Sequence, residues 1–316
     1  MRKILHACLA VVLFIVCALG TSMFSARSAA AQETPHFGYT CEDCPTNWGN
    51  LDATFLTCSE GAAQSPVAFD TATAVKEQLP PLDPQFGPST LEVERLAVNF
   101  EAFVEPGSNF TFVGDKRFDL VQFHFHSKAE HVVNGERSPL ELHFVHRADD
   151  GALAVIGVFI EEGAQFAPFD PLIEVLPEVA MLAEGGHIEV HAVDVANLLP
   201  DSLRSFRYSG STTTPPCTEP VNWILLDRTI QLSAEQIAAI QETIRGFNSG
   251  FDNNRPIQEL NGRIILVDDD GGGSGGCTIA AGSVNLGTAM TGIFLPLSAI
   301  AFAFGLRIII NRRKRQ

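Results

Sequence analysis

The sequence predicts a β-dominated α+β fold in one domain of about 235 residues, and three observations carry that prediction. Short runs that alternate, or are rich in β-branched and aromatic residues, fill most of the stretch 32–267. Turn signals such as Pro106-Gly107-Ser108 and Asp149-Asp150-Gly151 separate them. Only two segments carry helical periodicity. In chain order, the strand-like runs are residues 91–103, 109–113, 118–126, 140–146, 152–160, 187–195 and 221–226. The helical segments are 169–184 and 233–247, and the second opens Ser-Ala-Glu-Gln, a capping-box start. Apolar residues make up 46% of the chain, enough for a substantial core and too many for a disordered protein. No internal repeat recurs at a fixed period.

The two ends read as addresses outside that domain. Residues 1–31 have a basic start (Arg2, Lys3), an apolar run and the small residues Ala29, Ala30 and Ala31, the pattern of a secretory signal cleaved near Ala31. The competing reading is an uncleaved anchor helix. Residues 268–277 form an acidic, glycine-rich linker ending at Cys277. Within 278–316, an uncharged stretch long enough to span a bilayer precedes Arg312, Arg313, Lys314 and Arg315. That order predicts a membrane helix with a basic cytoplasmic tail and a body held outside, in the periplasm or on the cell surface. The linker, cysteine, helix and basic end also resemble bacterial C-terminal sorting tails, which implies processing by a sorting protease after a signal peptidase. Plain membrane anchoring remains open beside it.

Charge sharpens the picture. The terminal segments hold three and five of the 21 bases and none of the 37 acids; the remaining 13 bases leave 32–276 at a formal −24. A body that acidic lacks the cations needed to grip phosphates, so nucleic acid is excluded as a partner. The body contains Cys41, Cys44, Cys58 and Cys217, and export permits disulfides among them. Cys41-Glu-Asp-Cys44 is a lone C-x-x-C, open to a local disulfide, a redox dithiol or half a metal site.

Gln122-Phe123-His124-Phe125-His126 carries the chemistry. On a strand, His124 and His126 share a face and stand about 6–7 Å apart, with the phenylalanines opposite. Two imidazoles so placed can grip one metal ion, and His143, in Glu141-Leu142-His143-Phe144-Val145-His146, can complete a facial set of three with a fourth position open for water. Gln122 and Glu141 each lie two residues before a candidate ligand, on the same face, where they can orient an imidazole by hydrogen bonding. The competing reading is plain surface histidines. His131, His146, His187 and His191 lack such companions and read as ordinary polar or core histidines.

These segments, with Ala129-Glu130-His131 and Thr213-Thr214-Pro215-Pro216, stand in an order and spacing that resemble α-class carbonic anhydrases. His36-Phe37-Gly38-Tyr39, Trp48-Gly49, Gln64-Ser65-Pro66, Tyr208-Ser209-Gly210-Ser211, Asn222-Trp223 and Asn261-Gly262-Arg263 extend the likeness over residues 36–263. The resemblance implies a central, mostly antiparallel twisted sheet of about ten strands with peripheral helices. It implies Zn2+ on His124, His126 and His143, with Gln122 and Glu141 behind them. It implies reversible hydration of carbon dioxide to bicarbonate and a proton by a zinc-bound hydroxide. Thr213, bonded to Glu130, would orient that hydroxide. Thr214 would position bicarbonate, and Val145, Val155, Val221 and Trp223 would form the apolar wall for carbon dioxide. Cys58 and Cys217 match a disulfide of secreted members, one that would pin the loop carrying Thr213.

The chain departs from the family at three places. Many members carry a proton-shuttle histidine at the position of Val98, and no histidine occurs between His36 and His124. Glu101 is a substitute candidate, weakened by the low pKa of an ordinary carboxylate. Thr212 and Phe37 replace a common Leu and Trp. The alternative reading is a non-catalytic surface binding module on the same fold. A zinc protease is disfavoured, because no His-Glu-x-x-His helix is present.

Overall fold

The computed structural model describes residues 35–40 and 42–269. The predicted signal, most of the linker, Cys277 and the predicted membrane helix lie outside the described residues, as does Cys41. Among the described residues no helix is long and apolar enough to cross a membrane.

The strands are β1 (Ala68–Phe69), β2 (Val75–Glu77), β3 (Leu82–Gln85), β4 (Pro88–Arg95), β5 (Phe100–Phe103), β6 (Phe110–Val113), β7 (Lys116–Ser127) and β8 (Val132–Val133). They continue as β9 (Leu140–Arg147), β10 (Leu153–Glu162), β11 (His187–Asp194), β12 (Ser205–Gly210), β13 (Val221–Leu226), β14 (Ile230–Leu232) and β15 (Leu266–Asp268). The main sheet follows the order β11-β4-β5-β7-β9-β10-β13-β12-β15-β2, with β3, β6 and β14 attached beside that path. Pairing is mostly antiparallel; β10 runs parallel to β13 and β14, and β15 runs parallel to β2. The expected twisted sheet of about ten strands is therefore present.

Two expectations need correction. The run 91–103 is two strands rather than one, because a turn closed by Leu96 N–H on the Asn99 carbonyl (2.8 Å) joins β4 to β5. The sequence carries the reason: Leu91 and Val93 are buried at odd positions, Phe100 and Ala102 at even ones, and only a break reconciles the two phases. The helical segment 169–184 contains a shorter helix, Asp170–Val179, after a 3-10 turn at Ala167–Phe169. The chain then turns through Gly185 at φ +78°, leaving Met181 exposed. The second helix, Ala234–Phe247, has its capping box: Ser233 Oγ accepts from Gln236 N–H, and Gln236 Oε1 accepts from Ser233 N–H. The short strands β2, β3, β14 and β15 have no run of their own in the sequence, since each gives only three or four residues, too few for a period, and β12 has none either.

The sheet has two different faces. On one, Leu91, Val93, Phe100, Phe123, Phe125, Leu142, Phe144, Ile156 and Val158 form a core with Leu172 and Leu176 from the first helix and Ile237, Ile240 and Ile244 from the second. Each such side chain, fully buried, contributes about 1.5–3 kcal/mol. On the other face a second cluster includes Val155, Val221, Trp223, Tyr208 and Phe206, and beside it lie the histidines. The β-pairing runs one residue into the acidic triplet: Asp268 ends β15, accepts from Ser205 N–H (3.0 Å) and lies 3.8 Å from Arg207.

Candidate metal centre

A β-bulge makes the site. β7 pairs with β9 through Leu120 with His146 and then Gln122 with Val145, so Val121 is an extra residue. Without it Leu120 and Phe123 would face opposite sides; with it both reach the same core, and Gln122, His124 and His126 all face away from that core. Direct pairing of His124 with His143, and of His126 with Glu141, brings the three imidazoles together.

Their tautomers follow from their partners. His126 Nδ1 donates to the Asn253 carbonyl (2.8 Å) and His124 Nδ1 to Gln122 Oε1 (2.8 Å). His143 Nε2 donates to Glu141 Oε1 (2.8 Å). The remaining nitrogens, Nε2 of His124 and His126 and Nδ1 of His143, then carry lone pairs. His124 Nε2 and His126 Nε2 stand 3.1 Å apart, and ligand nitrogens of all three residues lie within 4.8 Å of one another. Burial, with mutual repulsion, pushes His124 well below its ordinary pKa, and burial takes His126 down to about 4. Burial likewise lowers His143, against the pull of Glu141. Three neutral imidazoles with converging lone pairs repel unless a cation sits between them. Tetrahedral zinc with bonds near 2.0–2.1 Å would set such nitrogens about 3.3 Å apart, so the donor set fits that ion.

Behind the histidines is a buried polar chain. Glu141 Oε2 accepts from the backbone N–H groups of Glu130 and His131 (2.8 and 2.9 Å), and Oε1 accepts from His143 and from His131 Nδ1 (2.7 Å). Burial opposes its charge, but His131 and His143 outweigh burial and hold the carboxyl well below the usual range. His131 Nε2 accepts from Tyr208 Oη (2.6 Å), and Ser65 Oγ meets the same phenol at 2.8 Å. Gly157 opposite His143 keeps this space open; a Cβ there would come within 2.7 Å of Leu225 Cδ2 and 3.2 Å of Glu141 Oε1. His131, an ordinary polar or core histidine by its sequence, is fully buried and links Glu141 to Tyr208. Its one usable signal was adjacency to Glu130.

Thr213 is buried on the loop after β12, where its hydroxyl acts to lower the pKa of the Glu130 carboxyl. Glu130 Oε1 accepts from Arg255 N–H (2.8 Å), and Oε2 lies 3.4 Å from His126 Nε2. Burial pushes the Glu130 carboxyl up to about 7, against the lowering effects of His143, Arg255 and Thr213. Asn253 and Arg255 were missed in the sequence because they lie over 120 residues away from the strands they support. Val145, Val155 and Trp223 are consecutive cross-strand neighbours on β9, β10 and β13, with Val221 buried on the same strand as Trp223. Thr214 is part-buried, its carbonyl accepting from Cys217 N–H and Thr212 Oγ1. Cys58 and Cys217 form a disulfide (S–S 2.09 Å) that ties this loop to the helix Thr57–Glu60. His146 is buried on the core face against Phe86, and His187 and His191 are exposed on β11, as ordinary histidines would be.

A profile of the family described as eukaryotic-type carbonic anhydrase matches residues 43–268. A carbonic anhydrase from Pectobacterium carotovorum is 37% identical over 239 residues, 76% of this chain and 93% of that protein. One from Neisseria gonorrhoeae is 34% identical over 78% of this chain and 93% of its own length. The α-carbonic anhydrase of Thermovibrio ammonificans, solved with the inhibitor sulfanilamide, superposes with a TM-score of 0.69 at 35% identity, covering 74% of this chain and 99% of that one.

Proposed function

The chain belongs to the eukaryotic-type carbonic anhydrase family and is an enzyme of that kind, and from that membership we propose that it hydrates carbon dioxide reversibly to bicarbonate and a proton at a zinc ion held by His124, His126 and His143. The observation that carries this reading is the convergence of three imidazole lone pairs whose other nitrogens are each engaged by Gln122, Asn253 or Glu141. Zinc bound there would supply an electrophile that lowers the pKa of a water to about 7.

The chain's residues do the rest. Thr213 gives its proton to Glu130, so its oxygen is left to accept from the attacking water and to aim that water's lone pair at carbon. Glu130, tied to the Arg255 backbone, fixes the direction of this bond. Carbon dioxide has no charge to grip, so Val145, Val155, Val221 and Trp223 exclude water and hold it by contact alone. Thr214 orients the bicarbonate as it forms.

Stopped-flow hydration by the full-length protein, with zinc and after chelation, tests the proposal. Zinc-dependent hydration is expected; a folded, zinc-replete protein without it overturns the reading and leaves a binding module on this fold. The proposal extends to location: export through residues 1–31, then retention or sorting through 278–316. The Cys58–Cys217 bridge supports it, since disulfides persist in oxidising compartments. Intact mass of the protein recovered from its host checks both ends, with a mature N-terminus near residue 32 expected.

A further inference from the structure

Hydration releases one proton for each bicarbonate formed, CO2 + H2O giving HCO3− and H+, and that proton must leave a site walled by apolar residues. The position next to the turn before β5 offers no acceptor: Val98 packs toward the cluster of Tyr39, Trp48 and the Cys58–Cys217 bridge. The sheet register offers one elsewhere. On the face that carries the histidines, β5 presents Glu101 and Phe103, because Phe100 and Ala102 are in the opposite core. Phe103 pairs with Gln122 and Ala102 with Phe123, and Phe100 meets Phe125 at 6.0 Å, so the same register sets Glu101 one strand over from His124. Glu101 pairs with Glu94 on β4, and Glu94 pairs with His187 on β11, the edge strand. Glu92, next along the same face of β4, lies 3.4 Å from His187 Nδ1.

A file of acid–base side chains thus crosses three strands on one face, from the metal centre to the sheet edge, about 14 Å at ordinary strand spacing. Glu101, Glu94 and Glu92 are each half-buried and His187 is exposed, so the file opens to solvent at its His187 end. We propose that Glu101 is the proton acceptor of this enzyme and that Glu94, Glu92 and His187 pass the proton outward to buffer. The inference rests on the carbon dioxide hydration proposed above. The Glu101 carboxylate takes up H+ to become the neutral acid, then returns it along the file to a solvent base, so the enzyme ends each turnover unchanged. Burial, reinforced by the Glu94 carboxylate, pushes the Glu101 carboxyl upward, in the direction a proton acceptor needs.

The test compares full-length, zinc-loaded wild type with Glu101→Gln by stopped flow at low and high buffer and across pH. Expected is a fall in kcat of at least about tenfold at low buffer, with kcat/KM and zinc content unchanged and kcat restored by imidazole. The wild-type kcat at low buffer should rise with pH as Glu101 ionises, and the variant should lose that limb. Carboxyl carbon-13 NMR of the same proteins supplies a readout apart from turnover: a glutamate titrating far above the usual range, absent in Glu101→Gln and moved down in Glu94→Gln. Equal low-buffer rates, a deficit that imidazole does not rescue, or a Glu101 carboxyl titrating in the ordinary range overturns the relay alone. Hydration by neither protein overturns the function itself, and the relay with it.

Discussion

Glu141 shows how much one buried carboxylate can organise. Four donors converge on its two oxygens, two from backbone and two from imidazoles, and one of those imidazoles is a candidate ligand. Glu141→Gln would turn an acceptor into an amide N–H facing donors. We expect zinc affinity to fall about 10–100-fold with the sheet intact, measured by competition against a chelator; unchanged affinity would refute the orienting role. His146 makes the opposite point, that a buried histidine need not serve the site. Burial takes its pKa down to about 4 from 6.5, opposed chiefly by the Nδ1–H bond to the Phe144 carbonyl (2.8 Å). The unfolded chain binds this proton below pH 6.5 and the folded one only below about 4, so stability is fully present above 6.5 and falls as pH drops between those values. The whole contribution is about 3 kcal/mol. Urea titrations of His146→Gln should show a shallower loss across that window than wild type, and parallel curves would count against it.

At the scale of elements, Val121 decides the site. The extra residue lets β7 serve two phases, Phe118 and Leu120 before it and Phe123 and Phe125 after it, while the imidazoles keep the free face. Deleting Val121 forces a choice: either Leu120 leaves the core or His124 and His126 enter it. The expected outcome is a protein that no longer binds zinc stoichiometrically by elemental analysis, whether or not its circular dichroism survives. Stoichiometric zinc in the deletion variant would show that the bulge does not set the face. The same pairing logic places Val145, Val155 and Trp223 side by side on three strands, with no two of the three on one element.

Across the whole molecule, the Cys58–Cys217 bridge links positions 159 residues apart. Closing a loop of that length stabilises the fold by about 5 kcal/mol in the chain-entropy model. The bridge also anchors the loop carrying Thr213 and Thr214, which Gln64 holds further through Nε2 on the Cys217 carbonyl (3.1 Å). Complete reduction should therefore lower the unfolding midpoint and, at temperatures where the protein stays folded, lower kcat. Unchanged kinetics after verified reduction would confine the bridge to stability.

The sequence by itself determined the β-rich class, the second helix with its cap, the candidate ligand trio and its companions Gln122 and Glu141, because these depend on periods and spacings local to a strand or a helix. The resemblance then supplied Glu130, Thr213, the apolar wall and the cysteine pair. Only the tertiary structure decided what depends on how strands meet. The bulge at Val121 is invisible in a period of two until a partner strand counts the residues. His131 gains its role through Tyr208, 77 positions later, and Arg255 and Asn253 gain theirs across more than 120. The surroundings that push the Glu101 carboxyl upward, Glu94 and the partial burial of that sheet face, exist only once β4, β5 and β7 are side by side.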